Sequence, residues 1–242
     1  DIFWEPELGR VMVGGEAAGF NSEGSTVDHF GYDPVANDWD AQGTWTNRPN
    51  YRAQAFVRDP VSGKRYAFYD TGTARQFYEW NPAATPSPTW TARTATGGSD
   101  YRNRGAYAWD STRSRVYHLS GGGWFTQASG YESQVIDMAG LTRTDIGFNS
   151  SSAWTEFQAN SGAFTYSALV YAQPEDCFYF YNGNTGDTDL GTPGQQPLTG
   201  QGAKVYQITP NGTATWDMAI VSVTGVTPAT ETGYSGAQNK FF

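Results

Sequence analysis

The chain has 242 residues and a net charge of −9; only 16% of its residues are charged, and as many are aromatic, with 9 Trp, 15 Tyr and 14 Phe. An acidic surface repels phosphate backbones, which excludes nucleic-acid binding through a broad basic face. No apolar stretch approaches the ~20 residues of a membrane-spanning helix. So many aromatic residues imply a folded chain with an aromatic core, and the scarcity of Leu and Lys argues against long helices.

Taken in chain order, the elements repeat. Four times a short apolar run, a tight polar turn and a second apolar run ending in Gly follow one another, at residues 2–15, 55–72, 106–122 and 168–183. The turn anchors Pro6, Pro60, Ser111 and Pro174 are spaced 54, 51 and 63 residues apart. Each flanking run is β-branched or aromatic and bounded by turn formers, the pattern of a hairpin. Asp at such a turn bonds its own following backbone, and Pro presets φ.

A third apolar run follows each hairpin, at 29–33, 76–81, 134–138 and 204–209, and three of these close on Asp33-Pro34, Asn81-Pro82 and Thr209-Pro210. A Trp then marks a fourth strand: Trp39 or Trp45, Trp90, Trp154 and Trp216. Four-stranded antiparallel units at periods near 50 residues predict an all-β fold, a β-propeller of about four blades. The blades span approximately 1–47, 52–91, 104–156 and 164–218 of a single domain, 1–242. Residues 234–242 read as a strand that completes the first blade or starts another. The chain is then either closed as four blades or part of a larger propeller. It opens without Met or a signal peptide, which reads as upstream processing or as a segment of a longer protein.

These residues resemble the kelch repeat, also found in the propeller of galactose-oxidase-like proteins. That repeat carries a Gly-Gly pair after its second strand, then a Tyr, then a Trp with six residues between. Gly14-Gly15, Tyr32 and Trp39 fit the pattern fully, and Gly121-Gly122 fits the doublet. The second and fourth repeats depart from it, with Thr71-Gly72 and Asn182-Gly183. The resemblance implies a propeller fold and partner binding on one face.

On a propeller, two loop families share a face. One comprises 46–52, 91–104 and 155–164; the other comprises 16–28, 123–132 and 184–202. Arg48, Tyr51, Arg52, Arg93, Tyr101, Arg102 and Arg104 gather in the first, Trp124 and Phe125 in the second. Arg, Tyr and Trp are the side chains enriched at binding hot spots, so these nine form the expected ligand-binding rim. The competing expectation is that the Arg residues pair with acids across neighbouring blades. Asn182, Asn184, Asp187 and Asp189 offer closely spaced oxygens of the kind Ca²⁺ takes, but without the ordered spacing of an EF-hand; a plain polar turn is the stronger reading. Asn149-Ser150-Ser151 and Asn211-Gly212-Thr213 match the glycosylation acceptor pattern.

Cys177 is alone, which excludes an internal disulfide and a Cys-based zinc site. A copper radical oxidase, the enzyme the resemblance would imply, needs two His and two Tyr as ligands. The chain has only His29 and His118, both expected inside outer strands. A glycoside hydrolase needs two positioned carboxylates. Glu5, Asp59 and Asp110 are acidic, but they recur at one turn of successive repeats and so read as architectural. The resulting expectation is a non-catalytic interaction or scaffold propeller, without cofactor, that binds a protein or a glycan through its loop rim. The alternative is a structural part of an extracellular or virion assembly. Either is expected outside the cell or on a virion surface.

Overall fold

The computed structural model describes residues 2–6, 8–14, 29–41, 53–69, 76–81, 89–98, 106–120, 132–160, 168–181, 204–212, 214–222 and 224. The fold is all-β and propeller-like, made of successive antiparallel sheets with one short helix among the described residues. The first sheet orders β1 (Ile2–Glu5), β2 (Arg10–Gly14), β3 (His29–Asp33) and β4 (Asp38–Ala41). The second orders β5 (Ala53–Arg58), β6 (Arg65–Tyr69), β7 (Gln76–Asn81) and β8 (Thr89–Thr94). The third orders β9 (Ala106–Asp110), β10 (Arg115–Ser120), β11 (Glu132–Asp137) and β12 (Thr142–Asp145). In the fourth, β14 (Ala168–Ala172), β15 (Cys177–Tyr181), β16 (Val205–Thr209) and β17 (Thr215–Val221) are joined by a two-residue parallel strand, β13 (Gly147–Phe148), on the outer side of β17. The helix α1 is Ser152–Asn160.

The repeated hairpins are therefore β1–β2, β5–β6, β9–β10 and β14–β15, and the third apolar runs are β3, β7, β11 and β16. The turns share one construction. Gly9, Gly63, Ser114 and Asp176 have φ of 63°, 72°, 51° and 50° just before the second strand of their sheets. Asn37 and Leu141, at 54° and 50°, hold the same place before the fourth strand. A left-handed residue at the end of a short loop turns the chain back with the twist that the flanking strands need. Aspartates brace the starts of these turns. Asp33 Oδ1 accepts from the Val35 and Ala36 N–H groups at 2.8 and 3.0 Å, and Asp137 Oδ1 from those of Ala139 and Gly140 at 2.9 and 3.2 Å. Asp59 accepts from the Val61 N–H at 2.9 Å and from the Ser62 hydroxyl at 2.5 Å. Of the three acids expected to be architectural, Asp59 is seen here bracing its own turn.

Contacts divide the chain into two compact units: Asp1–Tyr69 with Gln76–Thr94, and Asp70–Arg75 with Ala95–Phe242. In the first, the Trp80 and Trp90 rings stack at 5.8 Å over Ala67, with Leu8 and Tyr78 against them. The two tryptophans are register partners on β7 and β8. In the second, Tyr117, Phe178 and Trp216 form the centre of a larger cluster, with ring centroids 4.7 to 5.9 Å apart. The expected aromatic core is present in both units. Aromatic rings on alternate strand positions bury the most area per residue, which offsets the low aliphatic content.

Trp154 corrects the expectation of a Trp in every fourth strand. The fourth strand of its sheet is β12, Thr-Arg-Thr-Asp, and Trp154 lies in α1. Ser151 caps that helix: its Oγ accepts from the Trp154 N–H at 3.0 Å and donates to the Met218 carbonyl at 3.1 Å. Nine residues make a marginal helix alone, so packing holds this one. Ala153, Trp154 and Phe157 are buried in the cluster, with Trp154 4.7 Å from Phe148 and Phe157 5.3 Å from Tyr206.

Candidate functional site

The densest set of charged contacts among the described residues joins the turns of the third and fourth sheets. Asp110, the last residue of β9, is fully buried. Its Oδ2 accepts from Arg115 Nε at 3.0 Å, its register partner across the hairpin, and from Arg113 Nη1 at 3.2 Å. Arg113 then reaches the neighbouring turn, donating through Nη1 and Nη2 to the two oxygens of Asp176 at 2.7 Å each. Tyr171 Oη lies 2.6 Å from Asp176 Oδ1 and 2.5 Å from Thr112 Oγ1. A phenol has one proton, so when it is given to Asp176 the Thr112 hydroxyl is the donor in the second bond. The hydrogen bonds from Arg113 and then from Tyr171 hold the Asp176 carboxyl down at about 2. Asp176 in turn keeps the Arg113 guanidinium charged, raising its pKa above the usual value. Burial, followed by the bond to Asp176, raises the Tyr171 phenol.

An open groove of about 390 Å³ borders this cluster, lined by Arg113, Arg115, Val135, Asp137, Thr142 and Thr144. Alternation puts these residues on one face of the sheet, because Arg115, Asp137 and Thr142 are in register, as are Val135 and Thr144. The charged groups of the groove are engaged elsewhere. Arg113 binds two carboxylates, Arg115 binds Asp110 and lies 5.2 Å over the Trp216 ring, and Asp137 braces its own turn.

The opposite face of the same sheet carries a second polar set. His118 is fully buried, stacked 4.3 Å from Tyr107, its register partner on β9. Gln134 and Arg143 are buried on the same side, and Gln134 Nε2 donates to Asp145 Oδ1 at 2.8 Å. Burial first, and then the Arg143 charge, lowers the His118 pKa to about 3, so the ring is neutral at physiological pH. In the first unit, Glu5 is fully buried and its Oε2 accepts from Arg65 Nε at 2.5 Å, while Arg65 Nη2 also donates to the Trp4 carbonyl. Sequence reasoning placed Glu5 and Asp110 at the turns but missed their arginine partners. The separation of Arg113 from Asp176 equals that of the turn anchors Ser111 and Pro174, and this was the available signal.

Of the expected binding rim, Arg93 falls among the described residues. It lies within β8, not in a loop, and its Nη2 donates to Glu79 Oε1 at 2.9 Å on the adjacent strand of the same sheet. Its acid partner is therefore within its own sheet, not on a neighbouring one. Arg48, Tyr51, Arg52, Tyr101, Arg102, Arg104, Trp124 and Phe125 lie outside the described residues, as do Asn182, Asn184, Asp187 and Asp189. His118 and His29 are in β10 and β3, the middle strands of their sheets, which corrects their placement in outer strands. Cys177 is a buried free thiol, with Gln207 Nε2 3.4 Å from Sγ. Among the described residues, no three His, Cys, Asp or Glu side chains are grouped so as to hold a metal ion. Nor is any helix long and apolar enough to cross a membrane.

No family model matches this chain, and no curated protein matches it. Among solved structures it is similar to a fungal alcohol oxidase of the AA5 family in complex with copper, at 12% identity and a TM-score of 0.47. The likeness covers 93% of this chain and 54% of that one, so the chain spans about half the length of the structure it matches. At that score the likeness assigns no chemistry here. The expected non-catalytic interaction or scaffold propeller, and its variant as part of an extracellular or virion assembly, are withdrawn, because the comparisons give neither any positive support.

Proposed function

We propose that this chain is not an enzyme, and that its described ionic groups are fasteners within and between sheets. The observation that carries this reading is the arrangement of the turn acids: Asp33, Asp59 and Asp137 brace their own loops, while Glu5, Asp110 and Asp176 each hold an arginine. A general acid or nucleophile needs a carboxylate open to substrate and poised in its protonation. A carboxyl held at about 2 by a bidentate arginine stays ionised and engaged, so it is no proton donor at neutral pH. We infer further that the repeats are of the kelch type. This is supported by Tyr32 and Trp39, the Tyr and Trp of that pattern, which are register partners on β3 and β4 with rings 5.2 Å apart.

The test is direct. The protein is loaded with Cu²⁺, dialysed, and assayed for peroxide release from a panel of primary alcohols; a second panel uses chromogenic glycosides. The expected result is no turnover above that of heat-denatured protein. Saturable turnover that scales with protein concentration overturns the reading.

A further inference from the structure

The outer edges of β12 and β17 are each covered by a short segment running parallel to them, and both segments come from the same place in the repeat. Residue Thr96, just after the fourth strand of the second sheet, bridges to Thr142 on β12. Its N–H donates to the Leu141 carbonyl at 2.8 Å, and its carbonyl accepts from the Arg143 N–H at 2.8 Å. Residues 147–148, just after the fourth strand of the third sheet, cover β17 in the same way. The Gly147 N–H donates to the Ala214 carbonyl and the Asn149 N–H to that of Trp216, both at 2.8 Å. These short straps satisfy the backbone groups that an edge strand would otherwise present to another chain.

The strap on β12 is fitted to its place. After Thr96 the chain turns away through Gly97 and Gly98, with φ of +79° and +64°. A Cβ on Gly97 would lie 2.9 Å from the Arg143 carbonyl oxygen, and one on Gly98 would lie 3.0 Å from Arg143 Cβ and 3.2 Å from Asp145 Oδ1. Both conformation and space therefore demand glycine at this approach.

We propose that the Thr96–Gly98 strap guards a strand-docking edge, and that β12, once uncovered, pairs with the same edge of a second copy of this chain. Thr96 already shows that this edge accepts an extended backbone. The sequence of β12 also makes it self-complementary. An antiparallel pairing about a two-fold axis through Thr144 sets Arg143 opposite the partner's Asp145, and Asp145 opposite the partner's Arg143. Alternation directs the backbone of residues 143 and 145 to the outer side, as the Arg143 N–H bonded to Thr96 shows.

The experiment compares the wild type with Gly97→Val, which places a β-branched side chain at a left-handed position and in contact with backbone. Sedimentation velocity is measured over a hundred-fold range of concentration. The wild type is expected to sediment as a 26.4 kDa monomer. Gly97→Val is expected to shift to a particle of twice that mass as concentration rises. Adding Asp145→Lys, which sets like charges across the two-fold axis, is expected to restore the monomer. A folded Gly97→Val protein that stays monomeric overturns the proposal, as does association that Asp145→Lys leaves unchanged. If Gly97→Val does not fold, Thr96→Pro removes the N–H that reaches Leu141, and the same two outcomes decide.

Discussion

Arg113 and Asp176 lie 63 residues apart and meet through two hydrogen bonds of 2.7 Å each, fastening the first turn of one sheet to the first turn of the next. The same guanidinium also serves the buried Asp110, so its two duties differ in worth. Asp176 is 45% exposed, and an exposed pair contributes about 1 kcal/mol or less. Asp110 is inaccessible, and a hydrogen bond to a buried charge is worth about 1.5–3 kcal/mol. Arg113→Met is therefore expected to lower the unfolding free energy by about 2 kcal/mol, and Asp176→Asn by less than about 1 kcal/mol. Urea denaturation of the two variants checks the order; equal losses would refute it.

Glu5 and Arg65 make the corresponding test in the first unit. The carboxylate is fully buried and the guanidinium nearly so. Removing one partner strands the other charge, and Glu5→Ala is expected to cost about 3–5 kcal/mol. Removing both, in Glu5→Ala with Arg65→Met, is expected to recover part of that loss. A double variant no more stable than Glu5→Ala would show that packing, not charge, dominates there.

The tryptophans differ sharply in burial. Trp216 is 1% exposed and stacked on Phe178, whereas Trp39 is 56% exposed. Trp216→Ala is expected to cost about 3–5 kcal/mol and Trp39→Ala within about 0.5 kcal/mol of nothing. Thermal unfolding of the pair measures the contrast.

His118 gives the fold a pH dependence whose sign follows from its burial. Its native pKa is about 3 against 6.5 when unfolded. The unfolded chain therefore binds the extra proton, and stability is full above pH 6.5 and falls as pH drops towards 3. The expected slope is about 1.4 kcal/mol per pH unit over that window. Tyr107 and Gln134 are its register partners on the flanking strands, and Arg143 and Asp145 lie on the same face of the sheet. Urea midpoints at pH 7, 6 and 5 should show the decline in the wild type and a flat response in His118→Gln. An unchanged slope in that variant would assign it elsewhere.

The hairpins and third strands were legible because their evidence is local. Period-two apolar runs flank Asp, Pro and Gly, and residues 29–33 and 76–81 became β3 and β7 with the same limits. The fourth strand of the third sheet was not legible. Three of the four positions in Thr142–Asp145 are exposed, so it has no apolar pattern, and the nearest Trp drew the assignment into α1. The helix did leave a mark in the sequence: Ser151 at the cap, then Ala153, Trp154 and Phe157 along one face. The fasteners were hidden for a different reason. Arg65, Arg113 and Arg115 read as ordinary strand-entry and turn residues until the next repeat is placed beside them. Of the expected rim, Arg93 was misplaced into a loop because β8 continues through Thr94.

The position of the two straps ahead of the strands they cover also fixes an order of events during translation. Thr96 is made before β12, and residues 147–148 before β17. Each outer strand thus leaves the ribosome after the segment that will cover it, so its free hydrogen-bonding side has a neighbour on the same nascent chain from the start. Because an open strand flank is most prone to aggregate while a chain is incomplete, this arrangement protects the protein at the stage when it is most vulnerable.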